Sequence, residues 1–160
     1  MERVANLTAE DIMTPDVITV GAHMTVQELS DVFSEHMISG APVVDEGGKM
    51  IGVVSVSDVA RKGARRVGNV RADYYLHGWE DHLDVDDLRG LHIEAQDELV
   101  RDIMTPVVFT VSREATLDEM AETMIGGRVH RLVVTKDDRV VGIVTTLDML
   151  KVLRDQRSRT

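Results

Sequence analysis

Two short motifs contain the side chains best suited to bind a small anionic ligand. Ser55 is followed three residues later by Asp58, and Thr145 is followed at the same spacing by Asp148. Each hydroxyl residue is predicted to lie where a strand passes into a helix, and the free N–H groups of a helix N-terminus suit a phosphate. An ionised carboxylate only accepts hydrogen bonds, which fits a ligand that presents hydroxyl donors.

The overall charge of the chain restricts where such a ligand could be held. The 160 residues carry a net charge of −10, which opposes general binding to nucleic acid or to an anionic membrane. An anionic ligand therefore requires a local cationic group. His130 and Arg131 supply one, and arginine can grip a phosphate through two parallel hydrogen bonds.

These motifs belong to an internal repeat. The segment DIMTPDVITV at residues 11–20 returns as DIMTPVVFTV at residues 102–111, and residues 52–58 match residues 142–148. A repeated sequence indicates a supersecondary unit built twice, and a unit of this size is marginal alone. We therefore expect a pseudo-twofold pair with equivalent clefts between the copies. The residues of the first copy that match His130 and Arg131 are the uncharged Ser39 and Gly40, which predicts unequal sites.

The elements that position the motifs have the same order in both copies. A helical turn ends before a Thr-Pro pair, and then come a short strand, a helix begun by a capping box, a hairpin and a last helix. The predicted fold class is α+β, with two β-α-β-β-α units packed through their sheets. In the first copy the predicted elements are 7–13, 17–20, the helix from Thr25, 41–45, 50–55 and the helix from 57–58; in the second they are 99–104, 108–111, the helix from Thr116, 131–135, 140–145 and the helix from 147–148.

The pattern resembles a tandem CBS-domain pair, also called a Bateman module. The DIMTP segments, the strands SGAPVVD and VHRLVV, and the two closing motifs Gly-h-h-Ser/Thr-x-x-Asp, in which h is an apolar residue, carry the resemblance. We expect one motif at residues 1–61, a connector at 62–97 that is partly helical around 85–91, and a second motif at 98–156. The resemblance implies a regulatory, energy-sensing homodimer that binds AMP, ADP or ATP between the copies.

The resemblance also implies the residues of each cleft, by similarity to the γ subunit of AMP-activated protein kinase. In one cleft, phosphate and ribose would contact Thr145, Asp148, His130 and Arg131, and the adenine would lie against Met13, Ile18, Ile38 and Ser39. The other cleft would use Ser55, Asp58, Met104, Phe109 and Val129. The Arg131 cleft would prefer phosphorylated ligands, and the other would take a neutral or cationic adenosyl group or stay empty.

Other interpretations of the same residues remain open. Ser/Thr-x-x-Asp is also an ordinary helix-capping arrangement, and a structural or protein-interaction pair with an unidentified target would need no ligand. S-adenosylmethionine or another adenosyl compound is the alternative ligand. No nucleophile elbow, phosphate loop or dinucleotide fingerprint is present, so we expect neither an enzyme nor a bound cofactor or metal. The lack of cysteine and of a long apolar run favours a cytoplasmic location without membrane attachment.

Overall fold

The computed structural model describes residues 7–67, 98–106 and 108–157 of the chain. The first repeat forms three helices and four strands, in an order that matches the predicted β-α-β-β-α unit after a leading turn. The connector lies mostly outside the described residues, as does its predicted helix at 85–91. The elements of the first repeat are α1 (Ala9–Ile12), β1 (Thr14–Pro15), β2 (Val20–Gly21), α2 (Val26–His36), β3 (Gly40–Val44), β4 (Met50–Ser55) and α3 (Val56–Val67).

The second repeat has the same order of elements. A helical turn precedes Thr105, and a strand, a helix, a hairpin and a final helix follow. The fold class is α+β, as predicted. The elements are α4 (Val100–Ile103), β5 (Thr110–Ser112), α5 (Leu117–Gly127), β6 (Arg131–Lys136), β7 (Arg139–Thr145) and α6 (Thr146–Arg157). None of the helices in the described part of the chain is long and apolar enough to cross a membrane.

Helices α2 and α5 begin where the capping boxes predicted. Thr25 Oγ1 accepts a hydrogen bond from the Glu28 N–H at 3.2 Å, and Thr25 N–H donates to the Glu28 carboxylate at 2.8 Å. Thr116 and Glu119 repeat the arrangement at 3.3 and 2.8 Å. The donated hydrogen bonds lower the pKa values of Glu28 and Glu119, because they stabilise the ionised forms.

The predicted strands at 17–20 and 108–111 are displaced along the chain in the structure. Ladder pairing starts only at Val20 and Thr110, where these strands pair in parallel with β3 and β6. The β3–β4 and β6–β7 hairpins are antiparallel, as expected. Asp137 and Asp138 both have positive φ in the second hairpin, which fits the two-residue turn that suits strand twist.

The described residues fall into two compact units, and the leading segments are exchanged between the repeats. One unit contains Met1–Val17 with Val108–Thr160, and the other contains Ile18–Val107. In the first unit, β1 pairs antiparallel with β7. In the second, Thr105 forms a two-hydrogen-bond bridge with Val53 of β4, at 2.8 and 3.0 Å. Each unit therefore takes its leading segment from the other repeat.

The exchange also completes the two apolar cores. Ala9 of α1 is fully buried in the cluster that contains Leu132 and Val144. Val100 of α4 is fully buried in the cluster that contains Leu29 and Phe33. Burial of a valine side chain contributes about 1.5–3 kcal/mol and burial of the alanine methyl group about 0.8 kcal/mol, so the leading segment of each repeat helps to fill the core of the other. This agrees with the expectation that one repeat alone is marginal.

Candidate functional site

Thr145 and Asp148 form a hydrogen-bonded pair at the junction between β7 and α6. The Asp148 Oδ2 atom accepts hydrogen bonds from Thr145 N–H at 3.0 Å and from Thr145 Oγ1 at 2.7 Å. Lys151 Nζ donates to Asp148 Oδ1 at 2.8 Å. The arrangement starts α6 and places a hydroxyl, a carboxylate and an ammonium group within a few ångströms of one another.

Ser55 and Asp58 repeat this geometry at the junction between β4 and α3. The Asp58 Oδ2 atom accepts from Ser55 N–H at 2.8 Å and from Ser55 Oγ at 2.9 Å. The Arg61 Nη1 atom lies 3.5 Å from Asp58 Oδ1, so the two side chains form an ion pair. Both Ser55 and Asp58 are buried, with relative exposures of 7% and 8%, whereas Thr145 and Asp148 are only partly buried. A ligand therefore has easier access to the second of the two pairs.

The two junctions differ most in their cationic groups. Arg131 is the cross-strand partner of Thr145, so the two side chains project from the same face of the sheet. Gly40 occupies the matching position opposite Ser55 and has no side chain. Arg131 is partly buried, and within the described residues its guanidinium has neither a hydrogen-bond nor an ion-pair partner. The Arg131 junction therefore presents an uncompensated positive charge beside a hydroxyl and a helix N-terminus.

His130 contributes to the junction through its backbone. Its carbonyl oxygen accepts a hydrogen bond from Thr146 N–H at 2.9 Å, and the matching Ser39 carbonyl accepts one from Val56 N–H at the same distance. The His130 side chain is exposed. The hydrogen bond fixes the strand that carries Arg131 against the start of α6.

The two aspartates have pKa shifts of opposite sign. Burial raises the pKa of Asp58, and the hydrogen bonds from Ser55 and the charge of Arg61 only partly offset this effect. Burial also acts on Asp148, but the hydrogen bonds from Lys151 and Thr145 together with the Lys151 charge outweigh it and lower the pKa of Asp148. The protein thus favours the ionised form of Asp148 and disfavours that of Asp58.

Amide substitutions should separate these two effects. We expect Asp148→Asn to destabilise the protein at pH 7 by about 1 kcal/mol or less. The substitution removes the ionised carboxylate that caps α6, and the effect is small because this residue is partly exposed. Asp58→Asn should be neutral or stabilising, because an amide avoids the cost of burying a charge. Melting temperatures of the two variants at pH 7 test this difference, and equal destabilisation by both would contradict it.

The same two variants should differ in their pH dependence. The stabilisation from Asp148 is complete above its unfolded pKa of about 4 and is lost as the pH falls through the lower folded value. Asp58 has the opposite effect. The destabilisation caused by burying its charge grows as the pH rises through the raised pKa that Asp58 has in the folded protein. The advantage of the wild type over Asp148→Asn should therefore shrink on acidification.

Three of the apolar side chains predicted to line the clefts lie over glycines of their own unit. The Met13 side chain covers Gly142 on β7, with its Cγ 2.8 Å from where a β-carbon of residue 142 would lie. Met104 covers Gly52 on β4 in the same manner, with its sulfur at 2.9 Å. The Phe109 ring lies over Gly127, with its Cε1 2.7 Å from where a β-carbon of residue 127 would lie. Larger residues at these glycines would displace the side chains above them.

The two units divide the predicted site residues between them. Thr145, Asp148, His130, Arg131 and Met13 belong to one unit, together with Phe109 and Val129, and Val129 packs against its core. Ser55, Asp58 and Met104 belong to the other unit with Ile18, Ile38 and Ser39, and Ile38 packs against its core. The contacts predicted for the apolar residues with a ligand therefore stay predictions.

Sequence reasoning missed the cations that bind the two aspartates. Arg61 and Lys151 each follow an aspartate by three residues, a spacing that brings helical side chains together. The sequence contained this signal in both repeats. Arg61 and Lys151 matter because each forms an ion pair with a carboxylate that was predicted to bind a ribose.

A family model for the CBS domain matches residues 9–65 and 100–155 of this chain. The two matches cover more than half of the chain and coincide with the two repeats.

Curated relatives contain similar segments within longer proteins. Inosine-5'-monophosphate dehydrogenase of Methanocaldococcus jannaschii is 30% identical over 144 residues, which span 89% of this chain and 23% of the enzyme. The chloroplastic CBS domain-containing protein CBSX1 of Arabidopsis thaliana is 30% identical over 145 residues, which span 86% of this chain and 60% of the relative. The chain thus spans less than two thirds of either relative.

Solved structures share the fold. CBSX2 in complex with AMP is similar with a TM-score of 0.66 and 22% identity, covering 94% of this chain and 98% of that one. The CBS domain pair of protein MJ0100, in complex with 5'-methylthioadenosine and S-adenosyl-L-methionine, has a TM-score of 0.67 and 23% identity, covering 94% and 98%. At these identities the likeness shows the fold alone.

Proposed function

Because this chain belongs to the CBS-domain family and contains two copies of the domain, we propose that it is a regulatory module that binds AMP, ADP or ATP. The binding site is centred on Arg131, Thr145 and Asp148. The proposed signal is whether the site is occupied by a ligand, and no chemical reaction takes place there. A ligand that binds one conformation more tightly shifts the population towards it, and that shift is what a partner detects.

The guanidinium of Arg131, which has no partner among the residues that the structure describes, carries the proposal. An arginine that is partly withdrawn from water and lacks a counter-charge loses hydration without gaining an ion pair, so it favours an anion at this position. Thr145 Oγ1 and the N-terminus of the 12-residue helix α6 lie beside it. Together they suit a phosphate, which the net charge of −10 repels elsewhere.

Asp148 is the proposed ribose contact. Its Oδ2 atom already accepts two hydrogen bonds from Thr145, whereas from the described part of the chain Oδ1 accepts one hydrogen bond, from Lys151, and so retains a lone pair. A ribose hydroxyl could therefore bond to Oδ1 without disrupting the helix cap. The complexes of AMP with CBSX2 and of adenosyl compounds with MJ0100 support an adenosyl group as the ligand.

The Ser55–Asp58 junction is proposed as a weaker site with a different preference. Residues Ser39 and Gly40 provide no cation there, and burial disfavours the charge of Asp58. This junction suits a neutral or cationic adenosyl group such as methylthioadenosine or S-adenosylmethionine better than a nucleotide. A pure capping role fits the Ser55–Asp58 geometry equally well.

Thermal-shift measurements with adenosine, AMP, ADP, ATP and S-adenosylmethionine test the proposed function. A ligand at a hundredfold excess over its dissociation constant stabilises by about 2.7 kcal/mol, which corresponds to a rise of about 5–10 °C for a domain of this size. We expect such a rise with at least one of the nucleotides. No rise with any of these compounds would contradict the proposal and favour an interaction protein whose two junctions are helix caps.

We also propose that the protein is a homodimer formed through α6. Leu147, Leu150 and Leu153 follow one another at three-residue spacing along this helix and are 61%, 53% and 56% exposed. The matching residues in the first repeat are Ser57, Ala60 and Gly63, so the leucine stripe is a feature of α6 alone. A twofold axis through the stripe would pair it with itself in antiparallel order, with opposed helix dipoles.

Substitution within the stripe tests the dimer. Leu150→Glu should weaken self-association by at least tenfold, because burial of a leucine contributes about 1.5–3 kcal/mol. Sedimentation velocity on the wild type and the variant measures this change. Ile125→Glu on α5 is the control, since Ile125 is 77% exposed outside the stripe, and it should leave the dimer intact. A monomeric wild type would contradict the dimer and assign the stripe to a different protein target.

A further inference from the structure

The acceptor capacity of Asp148 is nearly filled before any ligand binds. A carboxylate offers about four lone-pair positions. Thr145 N–H and Oγ1 occupy two of them on Oδ2, and Lys151 Nζ occupies a third on Oδ1, at 2.8 Å. A ribose presents two hydroxyl donors, which exceeds the single position that remains. Lys151 and a ribose therefore compete for the same oxygen.

Lys151 also changes the charge of the junction. Arg131 and Lys151 contribute two positive charges and Asp148 one negative charge, so the three groups sum to +1. At the other junction, Asp58 and Arg61 sum to zero, because Gly40 replaces the arginine. The two junctions, which share a backbone geometry, thus differ in net charge by one unit.

We propose that Lys151 determines the ligand specificity of the Arg131 junction, selecting anionic, phosphorylated adenosyl ligands and rejecting cationic sulfonium ligands such as S-adenosylmethionine. This inference rests on the proposed function of that junction. Lys151 acts in two ways. It occupies one of the two acceptor positions on Asp148 Oδ1 until the second ribose hydroxyl displaces it, which weakens the binding of any adenosyl group, and its charge repels a sulfonium and attracts a phosphate.

An ordinary structural role for Lys151 predicts a different outcome. A lysine three residues after an aspartate on an exposed helix forms an ion pair that supports the helix by a small amount. Loss of such a pair would lower stability but would leave the relative affinities for AMP and S-adenosylmethionine unchanged. The ratio of the two dissociation constants therefore separates specificity from helix support.

The experiment compares wild-type protein with Lys151→Met by calorimetric titration with AMP, adenosine and S-adenosylmethionine. Methionine keeps the length and helix propensity of lysine without its charge. We expect the preference for AMP over S-adenosylmethionine to fall by about 3- to 10-fold, the size expected for one partly exposed charge at close range. Adenosine, which has no charge, should bind about 2- to 5-fold more tightly once its competitor for Oδ1 is removed.

Two further variants and a second measurement complete the test. Lys151→Arg should keep the wild-type preference, and Arg154→Met, which removes a cation three residues further along α6, should not alter it. An NMR titration of the Asp148 carboxyl group should show a higher pKa in Lys151→Met than in the wild type. This measurement needs no ligand, so it tests the ion pair even if the proposed function is wrong.

The outcomes for the two proposals are distinct. Wild-type protein that binds AMP, with the same ligand preference in Lys151→Met to within twofold, would overturn the role of Lys151 and leave the proposed function intact. Wild-type and variant proteins that both bind none of the three ligands, and show no thermal shift with ADP or ATP, would overturn the proposed function and the specificity role with it. A fall in the preference with normal folding of the variant supports both.

Discussion

Replacement of Asp148 by alanine is expected to weaken AMP binding by about 10- to 100-fold. Hydrogen bonds to a charged group contribute about 1.5–3 kcal/mol, and the substitution removes the proposed acceptor for the ribose. Asp58→Ala should change the same dissociation constant by less than threefold, because the Ser55–Asp58 junction has Gly40 where the other junction has Arg131, and because it is more deeply buried. Isothermal titration of both variants with AMP measures the difference.

The helix cap requires a control in this experiment. Asp148 accepts hydrogen bonds from Thr145, so its loss costs α6 about 1 kcal/mol of capping energy in addition to any ligand contact. Asp155→Ala removes an exposed carboxylate from the same helix and should bind AMP normally. A greater loss of affinity in Asp58→Ala than in Asp148→Ala would show that the ranking of the two junctions is wrong.

Replacement of Arg131 by alanine should abolish most of the preference for AMP over adenosine. The guanidinium has no partner within the described residues and lies beside Thr145, so a phosphate is its proposed counter-charge. We expect AMP affinity to fall by about 10- to 100-fold and adenosine affinity to change by less than threefold. Titration of the wild type and the variant with both ligands gives the ratio of AMP affinity to adenosine affinity for each protein.

The salt dependence of binding and a second arginine provide the controls. A phosphate contact at a partly exposed arginine is screened by salt, so the AMP preference of the wild type should decline between low and high ionic strength. Arg139→Ala removes an arginine from the far end of β7 and should retain the preference. Equal losses for AMP and adenosine in Arg131→Ala would mean that Arg131 supports the fold and does not contact the phosphate.

The order of elements could be predicted from sequence because local rules determine it. The capping boxes at Thr25 and Thr116 start helices through hydrogen bonds between residues three apart, and the hairpins follow short polar loops. The strands at 17–20 and 108–111 were placed too early. The same residue types form a strand and the extended backbone that precedes it. The position at which hydrogen bonding between strands begins depends on the partner strand.

The exchange of leading segments could not be predicted from sequence. The two DIMTP segments are identical, so no residue in them indicates whether each packs on its own repeat or on the other. Which repeat each segment joins is decided by the pairing of β1 with β7 and of Thr105 with Val53. These residues are far apart in the sequence, so local patterns do not encode their pairing.

The candidate site was partly accessible to sequence reasoning. Thr145, Asp148 and Arg131 lie together because residue spacing along a strand, a turn and a hairpin brings them together. The roles of Ile18, Ile38 and Ser39 as adenine contacts depend on an arrangement of the units that local spacing does not encode, and they stay predictions. The sequence-based predictions missed Lys151, although its three-residue spacing from Asp148 suits an ion pair on a helix.

The most direct test is a crystal structure of the protein grown with saturating AMP. The phosphate should lie within hydrogen-bond distance of the Arg131 guanidinium and Thr145 Oγ1, and a ribose hydroxyl should donate to Asp148. AMP bound elsewhere, with the Asp148 carboxylate still bonded only to Thr145 and Lys151, would contradict nucleotide binding at this junction.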